Sequence, residues 1–106
     1  MSDFYKLVGT EVVPIEDDGL GNALLEWAKQ LEKGTHVAKD WVNGHFVSTV
    51  FLGRALGFFS DKPLVFETMV FSDDCEAWQD RCATYEEAQN MHQRGMEYAA
   101  AMNPTE

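Results

Sequence analysis

The sequence predicts an α+β fold: a two-layer sandwich in which an antiparallel sheet of four or five strands carries an N-terminal and a C-terminal helix. Three observations lead there. Asn43-Gly44 joins two runs rich in β-branched and aromatic residues, the pattern of a type I′ hairpin, whose two positive φ angles Asn and Gly tolerate. Before it, apolar residues at 3 and 4 spacing mark an amphipathic helix. After it, a Thr-x-x-Glu box at Thr84–Glu87 opens a second helical pattern. Helices flanking a run of hairpins belong to the α+β class. At 106 residues the chain is read as one domain, 1–106, able to fold without disulfide or metal.

Each element follows from its residues. Residues 4–14, rich in Tyr, Val and Thr, read as a strand that ends near Pro14. Glu16-Asp17-Asp18-Gly19 supplies a turn, with acids placed to suit a helix dipole. Leu20, Ala23, Leu24, Trp27, Ala28 and Leu31 then form one apolar helical face, and Lys33-Gly34 closes a helix over about 20–33. The runs 35–42 and 45–52 form the hairpin. Residues 53–62 read as a loop with an apolar tip. Residues 64–71 read as a strand buried on both faces, and 77–83 as a weaker edge strand. The last helix runs from the Thr84 cap to about Met102, with Tyr85, Ala88, Met91, His92, Gly95, Ala99 and Met102 along one side.

The two-residue turn also fixes a register: Val42 opposite His45, Trp41 opposite Phe46, Val37 opposite Val50. Val37, Trp41, Phe46, Val50 and Leu52 then share the face expected to meet the core. His36, Asp40, His45, Val47, Thr49 and Phe51 share the other. That mixed face would be explained by partial cover from a helix, a loop or a second subunit, so a homodimer is among the expected arrangements.

Charge narrows the partners. Eighteen acidic residues stand against eight basic ones, a net charge of −10, which opposes direct nucleic-acid binding because counterion release needs Lys and Arg on the phosphates. Residues 11–18 carry −4 and residues 73–87 carry −5, whereas 19–72 sum to zero. Two readings stand side by side: acidity for solubility, or an acidic surface for a basic partner, formed by Glu16, Asp17, Asp18, Asp73, Asp74, Glu76 and Asp80. No apolar run approaches the ~20 residues of a membrane span, and the first residues lack the pattern of a secretory signal. A cytoplasmic location is expected.

Catalytic and metal chemistry find no support. Cys75 and Cys82 lie seven apart, ~23 Å in an extended segment, beyond disulfide reach, and no CxxC or paired His accompanies them. His36, His45 and His92 show no ligand spacing. No nucleophile elbow or phosphate loop is present. No catalytic residue, metal or cofactor is assigned, and an enzyme is disfavoured. Polar residues inside apolar strands are the unusual feature. Thr49, Glu67 and Thr68, with His92 on the apolar side of the last helix, form either a satisfied hydrogen-bond network or a small pocket, because a carboxylate buried in a sheet must find donors or a cavity.

The segments Ala38-Lys39-Asp40, Val47-Ser48-Thr49-Val50-Phe51-Leu52-Gly53 and Pro63-Leu64-Val65-Phe66-Glu67-Thr68-Met69-Val70-Phe71 resemble a family of small uncharacterised phage and prophage proteins. Trp27-Ala28 and Thr84-Tyr85-Glu86-Glu87-Ala88 with His92 are similar to it too, so the resemblance spans roughly residues 24–98. It implies a phage or prophage origin and a host-cell cytoplasmic location, and no activity. Family members tend to carry Asp-His after the Leu-Gly of the second motif; here Arg54 is followed by Ala55-Leu56. An apolar loop with Leu56, Phe58 and Phe59 replaces that polar one, a patch suited to docking on a protein. The reading favoured is a phage accessory protein that neutralises a host protein with a basic surface, a defence or nucleic-acid-binding factor. The alternatives are a binder of a small ligand such as a nucleotide messenger, and a structural or morphogenetic phage component.

Overall fold

Tyr5–Val8 (β1) and Glu11–Pro14 (β2) pair as an antiparallel hairpin, where one strand over 4–14 was expected. Gly9, at φ +64°, turns the chain in the middle of that run, and the alternation of Tyr and Val continues on both sides of the turn. The computed structural model describes residues 4–16, 18–54, 62–73 and 75–104, Cys75 by its backbone alone. Asp17, Asp74 and the loop residues Leu56, Phe58 and Phe59 lie outside the described residues.

The first helix, α1 (Asn22–Glu32), is followed by four strands, β3 (His36–Val42), β4 (His45–Phe51), β5 (Phe66–Ser72) and β6 (Cys75–Cys82), and a long helix, α2 (Tyr85–Ala101). The four strands form an antiparallel meander in the order β3-β4-β5-β6. The fold is therefore α+β, with two antiparallel sheets and two helices. Its layout differs from the expected sandwich in one respect: the N-terminal strands form their own sheet, and α1 packs on β1 rather than on the larger sheet.

Polar side chains explain where α1 sits. Gln30 accepts from the Leu7 amide at 3.0 Å and donates to the Tyr5 carbonyl at 3.1 Å, bridging helix to hairpin. Trp27 Nε1 donates to the Leu52 carbonyl at 2.8 Å, and its ring lies 5.2 Å from Phe4. The Tyr5 amide donates to the Gly53 carbonyl at 2.7 Å. These bonds fasten the N-terminal unit to the end of β4. The molecule is correspondingly long, 50 × 28 × 24 Å with a radius of gyration of 15.1 Å, against about 13 Å for a compact chain of a hundred residues.

The Asn43-Gly44 hairpin forms as the sequence predicts, with both residues at positive φ and Val42–His45 and Trp41–Phe46 paired. A bulge between His36 and Ala38 sets His36, not Val37, opposite Val50. Val37 packs against the core as expected, but Trp41, Phe46 and Val50 lie on the face opposite the one expected. Val47, Thr49 and Phe51 are buried under α2, whereas Trp41 is 72% exposed. Strand β5 likewise buries one face, Phe66, Thr68 and Val70, while Glu67, Met69 and Phe71 are only partly covered. Both faces of the hairpin are comparably apolar, so alternation alone does not say which one a helix covers.

That choice is made by α2. Its inner side carries Ala88, Met91, His92, Gly95 and Ala99, all buried, and small residues let it lie close to the sheet. A Cβ on Gly95 would stand 3.0 Å from Thr68 Cγ2 and 3.1 Å from Val47 Cγ1. The predicted capping box is present: the Glu87 amide donates to Thr84 Oγ1 at 3.1 Å, and that hydroxyl donates to Glu87 Oε1 at 3.0 Å. The far end of α2 is held by the hairpin turn. Asn43 Nδ2 donates to the Ala100 carbonyl at 3.0 Å, and His45 Nε2 donates to the Asn103 carbonyl at 2.7 Å.

Candidate functional site

The two faces of the large sheet offer different chemistry. Under α2 a polar belt crosses the sheet. His92 Nε2 meets Asp40 Oδ2 at 2.7 Å, His92 Nδ1 meets Thr49 Oγ1 at 2.7 Å, and Thr49 Oγ1 meets Thr68 Oγ1. The Asp80 carboxylate accepts from Arg94 at 3.1 Å at the opposite edge. Three of the four residues singled out in the sequence, Thr49, Thr68 and His92, thus come together. Glu67 does not join them, because strand alternation turns it to the other face. There its carboxylate accepts from Arg81 Nε at 2.9 Å and from Gln79 Nε2 at 2.6 Å.

Asp40, His92 and Thr49 have the residue types of a carboxylate–imidazole–hydroxyl relay, yet the hydroxyl end is closed. Thr49 and Thr68 are wholly buried and occupy each other's hydrogen-bonding capacity, so no substrate carbon can reach Thr49 Oγ1. The belt is a satisfied core network. Each polar side-chain atom that meets in the belt has a partner: Thr68 Oγ1 with Thr49 Oγ1, Thr49 Oγ1 with His92 Nδ1, and His92 Nε2 with Asp40. Cys82 is equally unsuited to attack, since burial and then the nearby Glu87 push its thiol up to about 11, away from the thiolate form. Among the described residues no group of three or more His, Cys, Asp or Glu is placed to hold a metal ion.

The outer face is a grid. Register aligns three rows from β3 to β6: Trp41–Phe46–Phe71–Glu76, Lys39–Ser48–Met69–Gln79 and His36–Val50–Glu67–Arg81. In the first row the ring centroids lie 4.9 Å apart for Trp41–Phe46 and 6.2 Å for Phe46–Phe71. The row is thus three aromatics in contact, ending on an exposed acid. Asp73, exposed at the β5–β6 turn with φ +49°, stands two residues beyond Phe71. Among the described residues no helix lies across this face. Sequence reasoning assigned Trp41 and Phe46 to the core. The signal that could have reversed the assignment was the small and polar inner stripe of α2, which matches Thr49 and Thr68 and not Phe46.

The acidic residues do not form one surface. Glu16 and Asp18 are exposed beside β2 and α1, where Asp18 accepts from the Leu20 amide at 2.8 Å and from Asn22 Nδ2 at 2.5 Å. Those bonds, the Leu20 amide foremost, lower the Asp18 pKa. Asp73 and Glu76 sit instead at the turn between β5 and β6 and at the start of β6. Asp80 belongs to the inner belt through Arg94. The helix-dipole role expected of the acids holds for Glu86 and Glu87, in the first turn of α2, and not for α1, whose first turn has none. Comparison with protein-family models, curated proteins and solved structures finds no match.

Proposed function

We propose that the protein acts by binding another protein through the outer face of the four-stranded sheet, with Trp41, Phe46 and Phe71 as the apolar centre and Asp73 and Glu76 as an acidic end. The observation that carries this reading is the aromatic row itself. Trp41 is 72% exposed while resting on Phe46 at 4.9 Å, a large apolar surface held in one geometry by its neighbours. Exposed, pre-ordered aromatics of this kind dominate the energetics of protein contacts. An acidic end beside them favours a partner with Arg or Lys at its rim, where a guanidinium can also lie over a ring.

The resemblance to phage and prophage proteins makes a host protein the expected partner, its basic surface occupied and so neutralised. The same row could stack a nucleobase, but Asp73 and Glu76 at its end oppose a phosphate, which places the small-ligand reading second.

The test is affinity recovery from host lysate with wild type and Trp41→Ala, at low salt and at about 0.5 M salt. Because Trp41 is exposed, the variant is expected to fold normally and to bind at least about tenfold more weakly. High salt is expected to weaken the wild-type complex as well. Equal recovery by both proteins at both salt levels overturns the proposal. A thermal shift with cellular nucleotides that Trp41→Ala abolishes would move the row to the small-ligand reading.

A further inference from the structure

The sequence pattern of α1 is that of a core helix, yet the fold covers only one side of it. Ala23 is buried, and Trp27 and Gln30 are turned to the hairpin and to β4. Leu20, Leu24, Leu25 and Leu31 remain 81%, 51%, 59% and 41% exposed. Leu24 and Leu31 are seven residues apart with Ala28 between them, so they form one stripe down a helix of 11 residues. The helix stands on the projecting N-terminal unit, where its outer side is accessible.

We propose that a second copy of the chain covers this stripe, the two α1 helices packing antiparallel about a two-fold axis near Trp27 and Ala28. Leu24 of one copy then meets Leu31 of the other, and the contact closes on itself as an isologous dimer. Charge selects this occupant. Residues 20–33 hold Glu26 and Glu32 against Lys29 and Lys33 and sum to zero, so the stripe itself is neutral and lies between an acidic segment before the helix and lysines at its end. Glu16 and Asp18 precede the helix, whereas Lys29 lies in its last turn and Lys33 caps it. An antiparallel pair sets the acidic end of each helix beside the lysine end of the other; a parallel pair sets like ends together.

Two helices of this length make an interface at the small end of the specific range, so the dimer is expected to dissociate at about micromolar concentration. Sedimentation velocity over a dilution series tests this on wild type, Leu24→Glu, Leu31→Glu and Trp41→Ala, with circular dichroism checking the fold. Wild type and Trp41→Ala are expected to pass reversibly from dimer to monomer. Each glutamate variant is expected to raise Kd at least tenfold while keeping the wild-type spectrum, since both leucines face solvent in the monomer. A wild type that stays monomeric throughout, or a dimer indifferent to both glutamates, overturns the proposal. So does a monomer whose recovery of another protein is lost in Leu24→Glu, which would give the stripe to that protein. Trp41→Ala separates the two surfaces, because it is expected to weaken partner binding and leave dimerisation intact.

Discussion

Thr49 holds two partners at once, His92 on one side and Thr68 on the other, and its side chain is wholly buried. Replacing it with Val keeps the shape and strands both neighbours. Thr49→Val is therefore expected to cost about 2–3 kcal/mol, since each orphaned buried group carries a desolvation penalty. Thr68→Val leaves the Thr49–His92–Asp40 part intact and is expected to cost about 0.5–1.5 kcal/mol. Urea unfolding of the two variants side by side measures the difference, and equal losses would contradict a belt that branches at Thr49. The Thr49–Thr68–His92 grouping was legible in the sequence as polar residues inside apolar elements, and only its chemistry needed the structure. Glu67 was misplaced with them because its neighbour Thr68 faces inward: adjacent strand residues point to opposite faces, and both had been read as one polar patch.

At the scale of elements, Gly53 is the joint between the N-terminal unit and the sheet. It adopts φ +68°, and a Cβ there would stand 2.9 Å from Trp27 Cδ1 and 2.9 Å from the Tyr5 carbonyl oxygen. Gly53→Ala thus combines an unfavourable backbone conformation with a clash against backbone, for an expected loss of about 2–4 kcal/mol. Hydrogen exchange should show the damage first at Tyr5 and Ile15, with Thr68 and Val70 protected for longer; unchanged stability would refute the joint. The elements themselves were largely readable. Asn43-Gly44, the Thr84–Glu87 box and the 3-and-4 spacing over 20–33 are local signals, and each produced its element. What was not readable is which surface each element presents to another. Both hairpin faces are apolar enough to be core, and α1 has a core-like stripe that the fold leaves open. Burial is decided by the partner element, and neither strand alternation nor helical periodicity names it.

For the whole molecule, the charge distribution sets the behaviour in solution. A net −10 with little basic compensation makes the folded state repel itself, and salt relieves that repulsion. Raising salt from about 20 to about 200 mM is expected to stabilise the protein by about 0.5 kcal/mol, or roughly 2–4 °C in Tm. A Tm that stays level or falls would show that the ion pairs Lys6–Glu26, Arg81–Glu67 and Arg94–Asp80 outweigh the repulsion.

The hold of the hairpin turn on α2 reaches beyond stability. Asn43 caps a helix end that lies 56 to 59 residues further along the chain, and His45 bonds the carbonyl of Asn103. During synthesis the N-terminal unit and the strands leave the ribosome well before this clasp can close, and until it does the inner face of the sheet has no cover. Both faces of one sheet are then apolar and open in the nascent chain, a window for aggregation that ends only when residue 103 has emerged. A slowed ribosome between Tyr85 and Asn103 would lengthen that window, whereas a pause before Asn43 would not.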